Sequence, residues 1–214
     1  MLRTPVLDLF RPAMHGLAHA WFNLELRGVE HIPREGPLII TPNHQTYADP
    51  PLVTIPVRRR VYYMAWNELF RVPVFGQLIR LLRAFPVDIY SKDPGAVREA
   101  RRLVRQGAAV MIFPEGGRSF DGELGAFKLG AFRLAVALGA AVLPVTIAGG
   151  YEAWPPQRAL PRRGRMTITY HPPLHARSGV DARTAARELA DRTRAVIAGT
   201  LAADRPQAPR SSTR

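Results

Sequence analysis

Cysteine is absent from this chain of 214 residues. Disulfides and thiolate metal sites are therefore excluded. Lysine is nearly absent too. Lys92 and Lys128 are the only two, so the 30 basic residues that stand against 17 acidic ones are almost all arginine. The formal charge of +13 predicts an anionic partner, and nucleic acid or an anionic membrane surface would each satisfy it. No nucleic-acid motif accompanies the charge, so nucleic acid is not the expected partner. A long unbroken apolar run is missing as well. The longest uncharged stretch, Leu134 to Tyr151, is divided by Gly139 and Pro144 and reads as a helix end followed by a strand. No membrane-crossing helix is expected. The first residues lack a basic start, an apolar core and a small-residue cleavage site, so no secretory leader is expected. The six histidines are scattered, and His171 and His175 flank a Pro-Pro pair, so no metal site is expected; separately, no cofactor is expected.

What is present is the composition of a folded protein, 47% hydrophobic and 22% charged, with a length suited to one buried core. Three segments are expected. Residues 1–27 form an amphipathic helical segment, with Val6, Phe10, Met14, Leu17, Trp21 and Leu24 spaced by three and four and Pro12 at a break or first turn. Such a helix suits a membrane interface or a place packed on the domain. Residues 28–203 form the main domain, and 204–214 a disordered tail. Within the domain, strand-like runs alternate with helical ones. Asp93-Pro94 opens a helix that should end at Gly107, with Ala96, Ala100, Leu103 and Val104 inward. The alternation predicts an α/β fold, a largely parallel central sheet flanked by helices, with ligands beyond the carboxyl ends of the strands.

Two loops carry the chemistry. The apolar run Pro37 to Ile40 leads into Thr41-Pro42-Asn43-His44-Gln45-Thr46-Tyr47-Ala48-Asp49-Pro50. Positions five apart do not share a helix face, and both prolines discourage continuous helix, so a tight loop or bent turn should fold Asp49 back onto His44. A carboxylate on one ring nitrogen sets the tautomer and leaves the other free as a base. No nucleophile stands beside the pair, which suggests that the substrate supplies its own hydroxyl. The spacing alone equally fits a loop histidine capped by an acid. The second loop, Pro114-Glu115-Gly116-Gly117-Arg118-Ser119, follows the buried run Ala109 to Phe113. Its paired glycines allow close backbone approach to an anion, and Arg118 offers a donor fork suited to phosphate. A polar turn with a surface arginine reads as well locally. Both loops follow strands and are expected on one sheet edge, facing one substrate.

Together these residues resemble the glycerolipid acyltransferase family. Asn43-His44-x4-Asp49 is similar to its first block, Glu68-Leu69-Phe70 with Pro73 and Gly76 to the start of its second, Phe113 to Ser119 to its third, and Val142-Leu143-Pro144-Val145 to its fourth. The ordered set spans Pro37 to Ile147. The resemblance implies that His44 and Asp49 are catalytic and that Asn43, Glu115, Gly116, Gly117, Arg118 and Ser119 bind substrate. It further implies a lysophospholipid acceptor, an acyl-CoA or acyl-carrier-protein donor, and a peripheral place on the cytoplasmic face of the cell membrane. The alternatives are a different lipid acceptor, or a non-catalytic lipid-binding protein of this fold. Two departures bear on the acceptor. Trp66-Asn67 stands where the second block usually carries lysine before its Glu-Leu-Phe run, and Ala84 and Ile89 replace its closing glycine and arginine. Either other arginines substitute for those cations, with Arg58–Arg60 or Arg71 as candidates, or the acceptor is not a lysophosphatidic acid.

Overall fold

The computed structural model describes residues 5–91 and 93–204, with side chains from residue 12 onward. Among them, seven strands form one sheet: β1 (Glu25–Arg27), β2 (Leu38–Pro42), β3 (Val61–Trp66), β4 (Ala84–Val87), β5 (Ala109–Met111), β6 (Ala141–Ala148) and β7 (Thr167–Tyr170). Seven helices accompany them: α1 (Pro5–Phe22), α2 (Asp49–Thr54), α3 (Phe75–Leu81), α4 (Pro94–Arg105), α5 (Gly130–Leu138), α6 (Gly150–Ala153) and α7 (Ala182–Asp204). Strand order is β1-β7-β6-β2-β5-β3-β4, with every pair parallel except the antiparallel β6–β7. No described helix is long and apolar enough to cross a membrane.

The central strands owe their place to continuous apolar sequence. Leu38, Ile39, Ile40, Ala109, Val110 and Met111 are fully buried, as parallel strands covered on both faces must be. Their period of two divides the core. Leu38, Ile40 and Met111 join Ala18 and Phe22 of α1 and Leu52 and Val53 of α2. Ile39 and Val110 pack on the opposite face against α4, α5 and α7. On α4, the Asp93 carboxylate accepts the Ala96 N–H at 2.9 Å, and Ala96, Ala100, Leu103 and Val104 are buried, as their spacing predicts.

The structure corrects the segment boundaries. The helical segment expected over 1–27 stops at Phe22, where Asn23 enters the left-handed region at φ 41°. Leu24 is then buried, and β1 pairs in parallel with β7. Pro12 lies inside α1 and not at its start. Of the expected apolar stripe, Leu17 is 72% and Trp21 44% exposed, while Ala18 and Phe22 make the core contact. The side chains of Val6 and Phe10 lie outside the described residues. Asp204, expected in the tail, ends α7 and accepts from Arg27 Nη1 at 3.0 Å. Residues 205–214 lie outside the described residues. Pro50 to Val53 belong to α2, because proline is tolerated in a first helical turn.

Candidate active site

β2 and β5 run side by side in parallel, with Ile40 in register with Met111. The loops that leave their carboxyl ends therefore emerge together, and three contacts join them. The His44 N–H donates to Glu115 Oε1 at 2.8 Å. The His44 carbonyl accepts the Ser119 N–H at 2.8 Å. The Phe113 ring stacks on the imidazole, 3.9 Å between centroids and 23° between planes. The first and third sequence blocks thus form one structure around His44.

Asp49 is fully buried at the start of α2, and its carboxylate is saturated. Oδ2 accepts from His44 Nδ1 at 2.8 Å, from the Gln45 N–H at 2.6 Å and from the Thr46 N–H at 2.8 Å. Oδ1 accepts from Thr46 Oγ1 at 2.6 Å. A buried carboxylate needs such donors to offset its lost hydration. Because a carboxylate only accepts, the Nδ1 proton belongs to His44, and Nε2 is left with its lone pair. The far end of α2 is anchored by two tyrosines. Tyr170 Oη donates to the Val53 carbonyl at 2.6 Å, and Tyr63 Oη lies 2.8 Å from Thr54 Oγ1. Complete burial pushes the Tyr170 phenol well above its ordinary value, so it serves here as a neutral donor. Asp49 therefore sits on a helix fixed from both β3 and β7.

Several residues expected to touch substrate have other partners. Asn43 is 2% exposed, and its amide exchanges two hydrogen bonds with Ile147 of β6: Nδ2 donates to the carbonyl at 2.9 Å and Oδ1 accepts the N–H at 2.7 Å. It ties β2's exit to β6. Glu115 spends its second oxygen on the Gly125 N–H at 2.9 Å, so both oxygens serve backbone donors. Burial pushes its carboxyl above the usual range, against the pull of these two N–H groups. Ser119 Oγ donates to Asp121 at 2.9 Å. Gly116 adopts φ +76°, and Gly117 is exposed. Arg118 makes no ion pair with a described residue; its Cζ lies 3.6 Å from the centroid of the Tyr47 ring.

Of the candidate substitute cations, Arg58–Arg60 lie away from the His44 edge. Arg58–Arg60 precede β3, at the amino edge of the sheet. There the buried Arg59 guanidinium donates to the carbonyls of Pro33, Gly36 and Gly107, a clamp beneath β2 and β5. Arg71 gives both its short bonds to the half-buried Glu68. The cation that the loop does hold is Lys128. Its N–H donates to the Pro114 carbonyl at 2.8 Å, and a Cβ on Gly116 would meet its Nζ at 2.5 Å. Its rarity in an arginine-rich chain was the signal available in the sequence. Among the described residues, no cluster of three or more His, Cys, Asp or Glu could hold a metal ion.

Known proteins resemble this chain. The solved 1-acyl-sn-glycerophosphate (LPA) acyltransferase PlsC of Thermotoga maritima is similar with a TM-score of 0.77 and 29% identity, covering 92% of this chain and 79% of that one. A 1-acyl-sn-glycerol-3-phosphate acyltransferase of Pseudomonas aeruginosa is 30% identical over 187 residues, 86% of this chain and 70% of the relative. The chloroplastic LPAT1 of Arabidopsis thaliana is 28% identical over 189 residues, 80% of this chain but 52% of that protein. The chain spans about half the length of the plant relatives it matches. The Acyltransferase family model matches residues 23–148, more than half of the sequence, across both loops and the strands that carry them, and the chain belongs to that family.

Proposed function

We propose that this protein is an O-acyltransferase that moves a fatty acyl group from an acyl thioester to the hydroxyl of a lysophospholipid, with 1-acylglycerol-3-phosphate as acceptor and phosphatidic acid as product. The observation that carries this reading is His44, with Nδ1 bound to Asp49 and no side-chain hydroxyl or thiol hydrogen-bonded to its ring among the described residues. The neighbouring hydroxyl of Ser119 is directed to Asp121. A histidine prepared as a base without a protein nucleophile suits direct transfer. The acceptor oxygen attacks the thioester carbonyl carbon as its proton passes to His44 Nε2. The C–O bond forms, the C–S bond breaks, and the thiolate leaves with the proton from His44. Arg118 and Lys128 supply positive charge for the acceptor's phosphate at the Gly116 turn.

The donor is an acyl-CoA or an acyl-carrier protein, both of them acidic and suited to a chain of charge +13. We place the protein peripherally on the cytoplasmic face of the membrane, where such donors meet lipid. Apolar side chains near the His44 end support a membrane surface. Val74 is 78% and Leu81 62% exposed around α3, whose Phe75 lies edge-on to Tyr47. The chain from Trp154, also edge-on to Tyr47, leads to Gly164, which donates to the carbonyl of the exposed Trp21.

The test is free-thiol release from a long-chain acyl-CoA, and separately from an acyl-carrier protein, with lysophosphatidic acid or a zwitterionic lysolipid as acceptor. Release with lysophosphatidic acid that His44→Ala abolishes is expected. Release only with the zwitterionic lipid would overturn the phosphate acceptor. No acceptor-dependent release from either donor would favour a lipid-binding protein without transfer.

A further inference from the structure

Tyr47 lies between His44 and Asp49, and neither the chemistry of the dyad nor the phosphate loop accounts for it. The residue is 46% exposed, which removes any need for it as core. Yet three partners surround it. Arg118 Cζ lies 3.6 Å from the ring centroid, close enough for the guanidinium to rest on the aromatic face. Phe75 and Trp154 meet it edge-on, at 6.2 Å and 74° and at 6.3 Å and 67°. Edge-to-face contacts from two sides hold a ring in one orientation. The backbone beneath is also fixed, because Thr46 Oγ1 both donates to Asp49 and accepts the Ala48 N–H at 3.0 Å.

We propose that Tyr47 is a positioning residue for acceptor binding, the mount that holds Arg118 at a set distance from His44. A guanidinium resting by its face on a ring keeps its N–H groups, which lie in its own plane, available to a phosphate. An unsupported arginine would lose side-chain entropy on binding that the stack removes beforehand. The base and the mount belong to the same short turn, His44 to Asp49. The separation between the proton-accepting nitrogen and the phosphate-binding cation is therefore set within one hydrogen-bonded piece. An acceptor is selected when the spacing of its free hydroxyl and its phosphate matches. This role rests on the reading of Arg118 as a phosphate ligand.

The test is steady-state kinetics of Tyr47→Leu and Tyr47→Phe, each also made in an Arg118→Ala background, with lysophosphatidic acid and acyl-CoA varied in turn. Leucine retains bulk and loses the aromatic face, whereas phenylalanine retains the face. Tyr47→Leu should raise KM for lysophosphatidic acid roughly 3- to 30-fold, the range of a cation–π contact, with kcat and the acyl-CoA KM within about twofold. Tyr47→Phe should stay within about twofold of the parent, and Tyr47→Leu should add nothing once Arg118 is alanine. An unchanged acceptor KM in Tyr47→Leu beside a raised one in Arg118→Ala would overturn the mount and leave the phosphate reading standing. An unchanged acceptor KM in Arg118→Ala would overturn both. Equal damage from phenylalanine and leucine would overturn the aromatic face as the cause.

Discussion

The Glu115 carboxylate accepts the backbone N–H of His44 at 2.8 Å, joining residues 71 positions apart. The same carboxylate holds Gly125 at 2.9 Å. It therefore sets the height of the His44 backbone against the Glu115–Ser119 loop, a role separate from touching substrate. His44 is oriented twice, at its ring by Asp49 and at its backbone by Glu115.

The first prediction concerns Glu115 and pH. Burial raises its carboxyl above 4.5, the ordinary value. A carboxyl raised in the folded state contributes stability that is fully present below the unfolded value and lost as pH rises through the folded one. Glu115→Gln removes that titration and keeps an acceptor for one N–H. The melting temperature of the variant relative to the parent should therefore climb as pH rises from about 4.5 toward neutrality. A difference that stays flat over this range would show that Glu115 is not destabilised in its charged form.

Asp49 separates charge from geometry. In Asp49→Asn the amide oxygen can take the three donors of Oδ2, and the amide NH2 can donate to Thr46 Oγ1, which has lone pairs to accept. The fold should survive within about 2 kcal/mol, while transfer should fall roughly 10²- to 10⁴-fold because the imidazolium loses its counter-charge. Asp49→Ala leaves the donors unpaired in a dry site and should cost about 4 kcal/mol. Urea unfolding and thiol-release rates on the two variants measure both effects. Equal stability of the two would mean that water reaches those donors.

Under the proposed acceptor, Lys128 at Gly116 would stand in for the cations that the second block lacks. Lys128→Met keeps the aliphatic stem over Gly116 and removes the charge. KM for lysophosphatidic acid should rise about 10- to 100-fold, the worth of a charged hydrogen bond. The KM of a zwitterionic lysolipid, if it is turned over at all, should move far less. An unchanged KM for lysophosphatidic acid would remove Lys128 from the phosphate site.

Val74 occupies φ 63°, ψ −54°, with the Phe75 N–H bonded to the Pro73 carbonyl at 2.7 Å. This is a γ-turn, which a β-branched residue enters only with strain. Glycine adopts it freely, so Val74→Gly should stabilise the fold by about 1 kcal/mol net of the extra freedom of the unfolded chain. Thermal melting gives the first readout. Cosedimentation with phosphatidylglycerol–phosphatidylethanolamine vesicles gives the second, and it should weaken because an exposed apolar side chain is lost. Unchanged cosedimentation would place the membrane contact elsewhere.

The features legible in the chain before folding are local in origin. Continuous apolar runs made β2 and β5, the Asp93-Pro94 start and Gly107 stop bounded α4, and two flanking prolines bent the turn that carries Asp49 onto His44. Each depends on propensities and spacings within a few residues, which a single chain displays directly. The remaining features arise only in the folded chain. Folding turned Glu25 to Arg27 from a helix end into a strand, because a strand on β7 is available only once the sheet exists. It gave Asn43 to Ile147, Glu115 to His44 and Gly125, and Arg59 to the amino edge of the sheet. It placed Lys128 at Gly116 and Arg118 on Tyr47. A carboxylate, an amide or a guanidinium carries no record of its partner in its own sequence. Its hydrogen bonds go to whichever donors and acceptors the fold leaves unpaired beside it, and only the folded chain brings those together.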